Sequence, residues 1–213
     1  MTMGLGGIIL AAGESTRMGR DKALLPWPPT TSADGLQTSL SETLLSAAIR
    51  TLAHHCDMVI VIVGNNEGSL APIVYASGSF LLRNPVPERG QFSSLQTGLQ
   101  EVLNRGRDAA MITLVDRPPA SERTLDALVR AFESREHGVW AVVPEFEGKH
   151  GHPIVVGREM IEAFLKAPES SNARQIEHQN QQSIAYLPVD DSRIVENLNT
   201  PEDYARLRVE EFS

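Results

Sequence analysis

The stretch Leu10-Ala11-Ala12-Gly13-Glu14-Ser15-Thr16-Arg17-Met18-Gly19-Arg20-Asp21-Lys22 closes an apolar run in small residues and then gathers three cations. Gly13 permits a tight turn with bare backbone, and amides in such a turn can form an anion-binding nest. Arg17 offers a planar fork that matches phosphate oxygens, and Lys22 offers a point charge. A polyphosphate suits that combination; a plain turn with a solvated basic edge is the competing reading. The spacing fits neither G-x-x-x-x-G-K-[ST] nor G-x-G-x-x-G, because Gly4, Gly6 and Gly7 precede the apolar run.

Four further groups could do chemistry. Asp116 follows the apolar run Ala109–Val115, where a carboxylate is placed to hold Mg²⁺, a hard cation that takes oxygen ligands. The same Asp could instead form a turn or cap a helix. His150 and His152 flank Gly151, but no nearby Cys or third ligand completes a zinc site. Ser93 and Ser94 open a helical pattern that runs through Gly98, and helix starts favour anions and polar ligand groups. Asn65 and Asn84 end apolar runs and are equally suited to a pocket or a turn.

The elements that would carry these residues alternate. Apolar runs at 7–12, 58–64, 79–84, 109–115, 139–144 and 183–189 read as buried strands, and 146–157 reads as a turn leading into another strand. Between them lie helical patterns: Leu44, Leu45, Ala48, Ile49 and Leu52; Leu95, Leu99, Val102 and Leu103; Leu125, Leu128, Val129 and Phe132; then 158–165 and 201–212. Ser39 and Glu42 have the spacing of a capping box for the first of them. Residues 28–38 lack apolar periodicity and read as a surface insertion or flexible loop. Alternating strands and helices predict an α/β fold with a mostly parallel sheet. Ligands in such sheets bind beyond the carboxyl ends of the strands, and Gly13, Asn65, Asn84, Asp116 and the 145–152 loop all fall there.

Bulk properties narrow the partners. A net charge of -8 disfavours a nucleic-acid or anionic-membrane surface, though not a nucleotide, which needs only a local positive cluster. No apolar run approaches a membrane span, and the N-terminus lacks the pattern of a signal peptide. The one cysteine, Cys56, reads as a small buried hydrophobe, and a cytoplasmic location is expected.

The segment GIILAAGESTRMGRDKALLPW resembles the signature loop of nucleotidyltransferases of the molybdenum-cofactor guanylyl- and cytidylyltransferase type. Leu10, Ala11, Ala12, Gly13, Ser15, Arg17, Met18, Gly19 and Lys22 match it. GQFSSLQTGL (90–99), LVDRPPAS (114–121), GHPIVVGREM (151–160) and ENLNTPEDY (196–204) are similar to later segments of the cytidylyltransferase branch, in order along nearly the whole chain. The chain departs from that pattern at Arg117, where Gln is common, and at Asn197, where an acid is usual.

The resemblance implies one nucleotidyltransferase domain over 1–213, a three-layer Rossmann-like twisted sheet with helices on both faces, of the nucleotide-diphospho-sugar transferase type. It implies transfer of a nucleoside monophosphate from an NTP, CTP favoured by the Ala-Ala-Gly form, to a molybdopterin-type acceptor. Another phosphate acceptor, such as a sugar or polyol phosphate, is the alternative; so is a non-catalytic nucleotide-binding chaperone for a molybdoenzyme partner. The implied nucleotide site comprises Leu10, Ala11, Ala12, Gly13, Ser15, Arg17, Lys22, Asn84, Ser94 and Gly98. Arg17, Lys22 and Asp116 would be catalytic, Asp116 and Asn199 would hold Mg²⁺, and His152 would lie near the acceptor.

Overall fold

The computed structural model describes residues 4–13, 18–19, 21–29 and 42–210. Ser15, Arg17, Ser39 and most of the 28–38 insertion lie outside the described residues. In chain order the elements are β1 (Leu5–Leu10), α1 (Leu44–Ala53), β2 (Met58–Val63), α2 (Glu67–Ala76), β3 (Phe80–Arg83), α3 (Gln91–Asn104), β4 (Ala109–Leu114) and α4 (Glu122–Glu133). They continue as β5 (Ala141–Phe146), β6 (Lys149–His150), β7 (Ile154–Gly157), α5 (Arg158–Lys166), α6 (Ala173–Gln179), β8 (Ile184–Pro188) and α7 (Pro201–Glu210).

The strands form a mixed, mostly parallel sheet in the order β3-β2-β1-β4-β7-β5-β6, with β8 also paired to β5. β3, β2, β1 and β4 run parallel, as continuous apolar runs predict. β7 is antiparallel to both β4 and β5, because the turn through Lys149–His150 returns the chain beside β5. Every residue of β1 is buried, so both of its faces need cover. Leu45, Ile49, Leu70, Leu128 and Phe132 pack on one face of the sheet. Leu95, Leu99, Val102, Met160 and Phe164 pack on the other.

The capping box is corrected. Helix α1 begins at Leu44 and is capped by Thr43, whose Oγ1 accepts from the Ser46 amide at 3.1 Å while Ser46 Oγ accepts from the Thr43 amide at 2.8 Å. Glu42 instead accepts two hydrogen bonds from Arg50, at 2.9 and 3.1 Å. Thr43 has the extended backbone a cap requires, and its hydroxyl satisfies an amide that the first helical turn leaves unpaired. At the far end of α1, His54 and His55 both meet Glu122 at the start of α4, His55 at 2.9 Å. Cys56 is partly buried against the core, and burial pushes its thiol up to about 12.

A third apolar cluster positions the loop after β1. Met18, Leu25, Trp27, Leu44, Leu198, Tyr204 and Leu207 pack together, joining that loop to α1 and α7. The Trp27 amide donates to Glu42 O at 2.7 Å, the Leu44 amide donates to Leu25 O at 2.8 Å, and Tyr204 donates to Pro26 O. Met18 and Leu25–Trp27, which flank Lys22 in sequence, are therefore held against the chain after Asn199. Among the described residues no helix is long and apolar enough to cross a membrane.

Candidate active site

The strand order turns at β1, with β2 and β3 on one side and β4 on the other. A cleft of about 570 Å³ opens where β1 and β4 end, bounded by Ala12, Gly13, Lys22, Asn65, Ser94 and Asp116, among others. This is the crevice that α/β sheets use for ligands. A second cleft of about 840 Å³ adjoins it and shares Leu10 and Gln91 with it. Arg117, Lys149, His150, His152, Arg174 and Glu177 contribute to the wall of this second cleft.

Lys22 lines the first cleft. It is 8% exposed, and its Nζ donates to Asn199 Oδ1 at 3.1 Å and to Asp116 Oδ2 at 3.4 Å. Its place is set locally: Asp21 caps the 3-10 turn Lys22–Leu24 by accepting from the Ala23 amide at 3.0 Å. Asn66, just past β2, donates to Asp21 Oδ2 at 2.7 Å and to Ala11 O at 2.9 Å. The second carboxylate oxygen of Asp116, Oδ1, is buried without a hydrogen-bond partner among the described residues. A buried carboxylate oxygen without a partner is costly, which makes it an available ligand atom. Asp116 Oδ1 and Asn199 Oδ1 are the oxygen donors a hard divalent cation takes. No cluster of three or more His, Cys, Asp or Glu stands near them among the described residues, so water or substrate phosphates would complete the shell, as Mg²⁺ ordinarily requires.

Other members of the implied nucleotide site fall into separate places. Ala12, Gly13 and Ser94 reach the first cleft. Ala11 is buried, its amide donating to Ile62 O at 2.8 Å. Asn84 is fully buried behind the cleft and does not line it. Its Nδ2 donates to Ser93 Oγ at 2.8 Å and Ser94 Oγ at 2.9 Å, and its Oδ1 accepts from the Val86 amide at 3.0 Å. Asn84 thus orients the start of α3. Gly98 lies farther along α3 and faces the sheet: a Cβ there would stand 3.1 Å from Ile8 and 3.2 Å from Ile62. Its lack of a side chain lets helix and sheet approach closely.

His150 and His152 serve apart. His150 stacks on Tyr186 at 4.0 Å and lies 3.4 Å from Glu145. His152 Nδ1 lies 3.4 Å from Ile112 O, and burial, with Arg117 nearby, pulls its pKa down to about 4, so the imidazole is neutral at pH 7. Arg117 Nη1 donates to Ile194 O at 3.3 Å and Glu196 O at 3.2 Å, while burial lowers the guanidinium's pKa. Burial raises the pKa of Glu177, which also lines the second cleft.

Several positioning residues carry no sequence signal. Asp21 and Asn66 look like turn residues. The strap Asp191–Asn199 has no periodicity, yet it touches most of the site. Asp191 is buried and accepts from the Ser121 amide at 2.7 Å and from Thr124 Oγ1 at 2.9 Å. Ile194 O accepts from the His152 amide at 3.0 Å, and the Leu198 amide donates to Asp116 O at 2.9 Å. Asn197 is exposed, whereas Asn199 reaches Lys22.

Comparison with known proteins places this arrangement. A probable molybdenum cofactor guanylyltransferase of Mycobacterium avium is 30% identical over 210 residues, covering 97% of this chain and 96% of its own. The molybdenum cofactor cytidylyltransferase of Escherichia coli is 26% identical and covers 92% of each chain. The fold matches the crystal structure of Rv0371c from Mycobacterium tuberculosis with a TM-score of 0.77 at 23% identity, over 97% of this chain and 98% of that one; Rv0371c has also been solved in complex with manganese. The model of the MobA-like NTP transferase domain matches residues 7–184, a range that contains Lys22, Asp116 and His152, and the chain therefore belongs to this family of nucleotidyltransferases.

Proposed function

We propose that this chain transfers a nucleoside monophosphate from an NTP, with CTP favoured, to a phosphate-bearing acceptor of molybdopterin type. The observation that carries the reading is the buried Lys22 ammonium, held between Asp116 and Asn199 at the end of the Ala12–Gly13 turn. An oxygen of the acceptor's phosphate attacks the α-phosphorus; the new P–O bond forms as the bond to the β-phosphate oxygen breaks, and pyrophosphate leaves with that electron pair. The attacking phosphate is already ionised, so no general base is needed. Catalysis then rests on position and charge. Lys22 neutralises the α-phosphate as charge builds. Arg17 and the loop amides, with Ser15, hold the outer phosphates, and Ser94 faces the nucleoside.

Asp116, with Asn199, would hold a divalent cation, Mg²⁺ in this reading, which when bound offsets charge on the triphosphate. The manganese complex of Rv0371c accords with a divalent ion at such a fold. Relatives named for guanylyl and for cytidylyl transfer both resemble this chain. The preference for CTP rests on the resemblance alone: the Leu10-Ala11-Ala12-Gly13 form of the loop leans toward pyrimidine users. His152 lies in the adjoining cleft, which we assign to the acceptor. The product would pass to a molybdoenzyme partner; no nucleic-acid or membrane partner is invoked.

One observation favours a second reading. Asn199, which accepts from the Lys22 ammonium beside Asp116, is a neutral amide and brings no charge to a metal. That poorer donor set suits a chaperone that binds nucleotide without turnover. A sugar or polyol phosphate would serve as acceptor by the same chemistry. Pyrophosphate release, measured with CTP or GTP, Mg²⁺ and acceptor, tests the proposal. Release that depends on acceptor supports transfer; tight NTP binding without release supports the chaperone.

A further inference from the structure

Arg117 stands where Gln is common in the segment pattern that residues 114–121 resemble, and its surroundings give the departure a use. It directly follows Asp116 and forms part of the wall of the second cleft. Its Nη1 is pinned by two neutral acceptors, Ile194 O and Glu196 O, and its Nε is buried without a partner among the described residues. Asp116 and Glu196 act on it only through longer-range charge. Carbonyls fix the plane of a guanidinium but do not neutralise it, and a desolvated charge without a counter-ion is costly. The same cleft presents Lys149 and Arg174 nearer solvent, against the single carboxylate Glu177. A chain of net charge -8 has concentrated positive charge in this cleft.

We infer that Arg117 is the receptor for the attacking phosphate, so that the second cleft selects acceptors that are phosphate monoesters. This rests on the reading of that cleft as the acceptor's. Asp116 and Arg117, consecutive in sequence, line the two adjoining clefts, so a dianion on the Arg117 fork would approach the α-phosphate from the second cleft. A guanidinium can grip two phosphate oxygens at once, which sets the direction of the third. A glutamine at this position would offer one neutral amide and no charge. The specificity is therefore for a doubly charged nucleophile over an alcohol of the same shape.

The test uses the whole chain and calorimetry with phenyl phosphate as probe and phenol as neutral control. Arg117→Gln should weaken phenyl phosphate by about tenfold or more, the scale of a lost charge-assisted hydrogen-bonded pair, with CTP binding unchanged. Arg117→Lys should recover part of the loss, because it restores charge without the fork that holds Ile194 and Glu196. A strap-holding role alone predicts that Lys is as poor as Gln, and that result would overturn the inference. So would equal binding of phenyl phosphate to Arg117→Gln and to the parent chain, loss of the probe only in Lys22→Ala, or no binding to the parent chain. A chain that binds phenyl phosphate through Arg117 but binds no NTP would refute nucleotidyl transfer while keeping the role of Arg117.

Discussion

Gly151→Ala should be the most damaging single methyl that can be added near the site. A Cβ at Gly151 would fall against the carbonyl of Ile194, 2.7 Å from its carbon and closer still to its oxygen. Ordinary contact begins at 3.4 Å, so the backbone of one segment must move by most of an ångström. Both segments are tied: the Gly151 amide donates to Pro144 O at 2.9 Å, and the His152 amide donates to Ile194 O at 3.0 Å. Overpacking of this kind costs about 1–3 kcal/mol, and a strained or broken hydrogen bond adds about 1. With a chain of this size losing about 2–4 °C per kcal/mol, a cost near 3 kcal/mol lowers Tm by about 6–12 °C. Scanning calorimetry reads it directly. Ile194 O also holds Arg117, so acceptor use should fall more than nucleotide binding. Gly68→Ala in α2 is the control: its Cβ meets nothing within 4 Å, and a helical Gly-to-Ala change adds up to about 1 kcal/mol. A Tm for Gly151→Ala equal to that of the parent chain would refute the view that the strap is fixed.

Other outcomes follow from the same geometry. Lys22→Ala should cut nucleotidyl transfer by about 10²–10³, the scale of one preorganised charge at the reacting centre, as read by pyrophosphate release. Asp116→Asn keeps the shape of the site but removes its carboxylate, so activity and the response to divalent cation should fall together. The Cys56 thiol, with its pKa pushed up to about 12, should resist a disulfide reagent at pH 8 in the folded chain and react promptly in guanidinium. His152 sits at about 4 when folded against an ordinary 6.5, so between those values the unfolded chain binds the extra proton. Stability should rise with pH across that window and be lost as pH falls toward 4. Urea titrations of His152→Gln should show a flatter acid limb.

The parallel half of the sheet was legible because β1, β2 and β4 are continuous apolar runs and their strand ends carry Gly13 and Asp116. Helix α2 was not legible: Pro72 lies inside it, and only Leu70 and Val74 are buried, so it lacks an apolar face. Helix α6 buries Ile176 alone and is too short to show a period. The start of α1 was misplaced because Ser39 and Glu42 have the right spacing, whereas Thr43 wins through a local pair with Ser46 that spacing rules do not reveal. Within the site, residue type showed which groups carry chemistry but not which way they face. Asn84 ends a strand like Asn65, yet it turns inward to the serines of α3 while Asn65 borders the cleft. Gly98 belongs to a matching motif, yet its contribution is to helix–sheet packing. The first part of the strap, residues 191–195, was invisible: Ile194 works through its backbone carbonyl, which every residue possesses, and Asp191 looks like a turn residue.

The central claim is that the end of β1 holds an NTP through Lys22. A thermal-shift panel of CTP, GTP, UTP, ATP and TTP, each with and without Mg²⁺, on the parent chain and on Lys22→Ala, tests it without any need for acceptor. A nucleotide at about 100 times its Kd should stabilise the fold by about 2.7 kcal/mol. The account predicts a Mg²⁺-dependent shift, largest with CTP, that disappears in Lys22→Ala. A panel without any shift, or a shift that survives unchanged in Lys22→Ala, would contradict it.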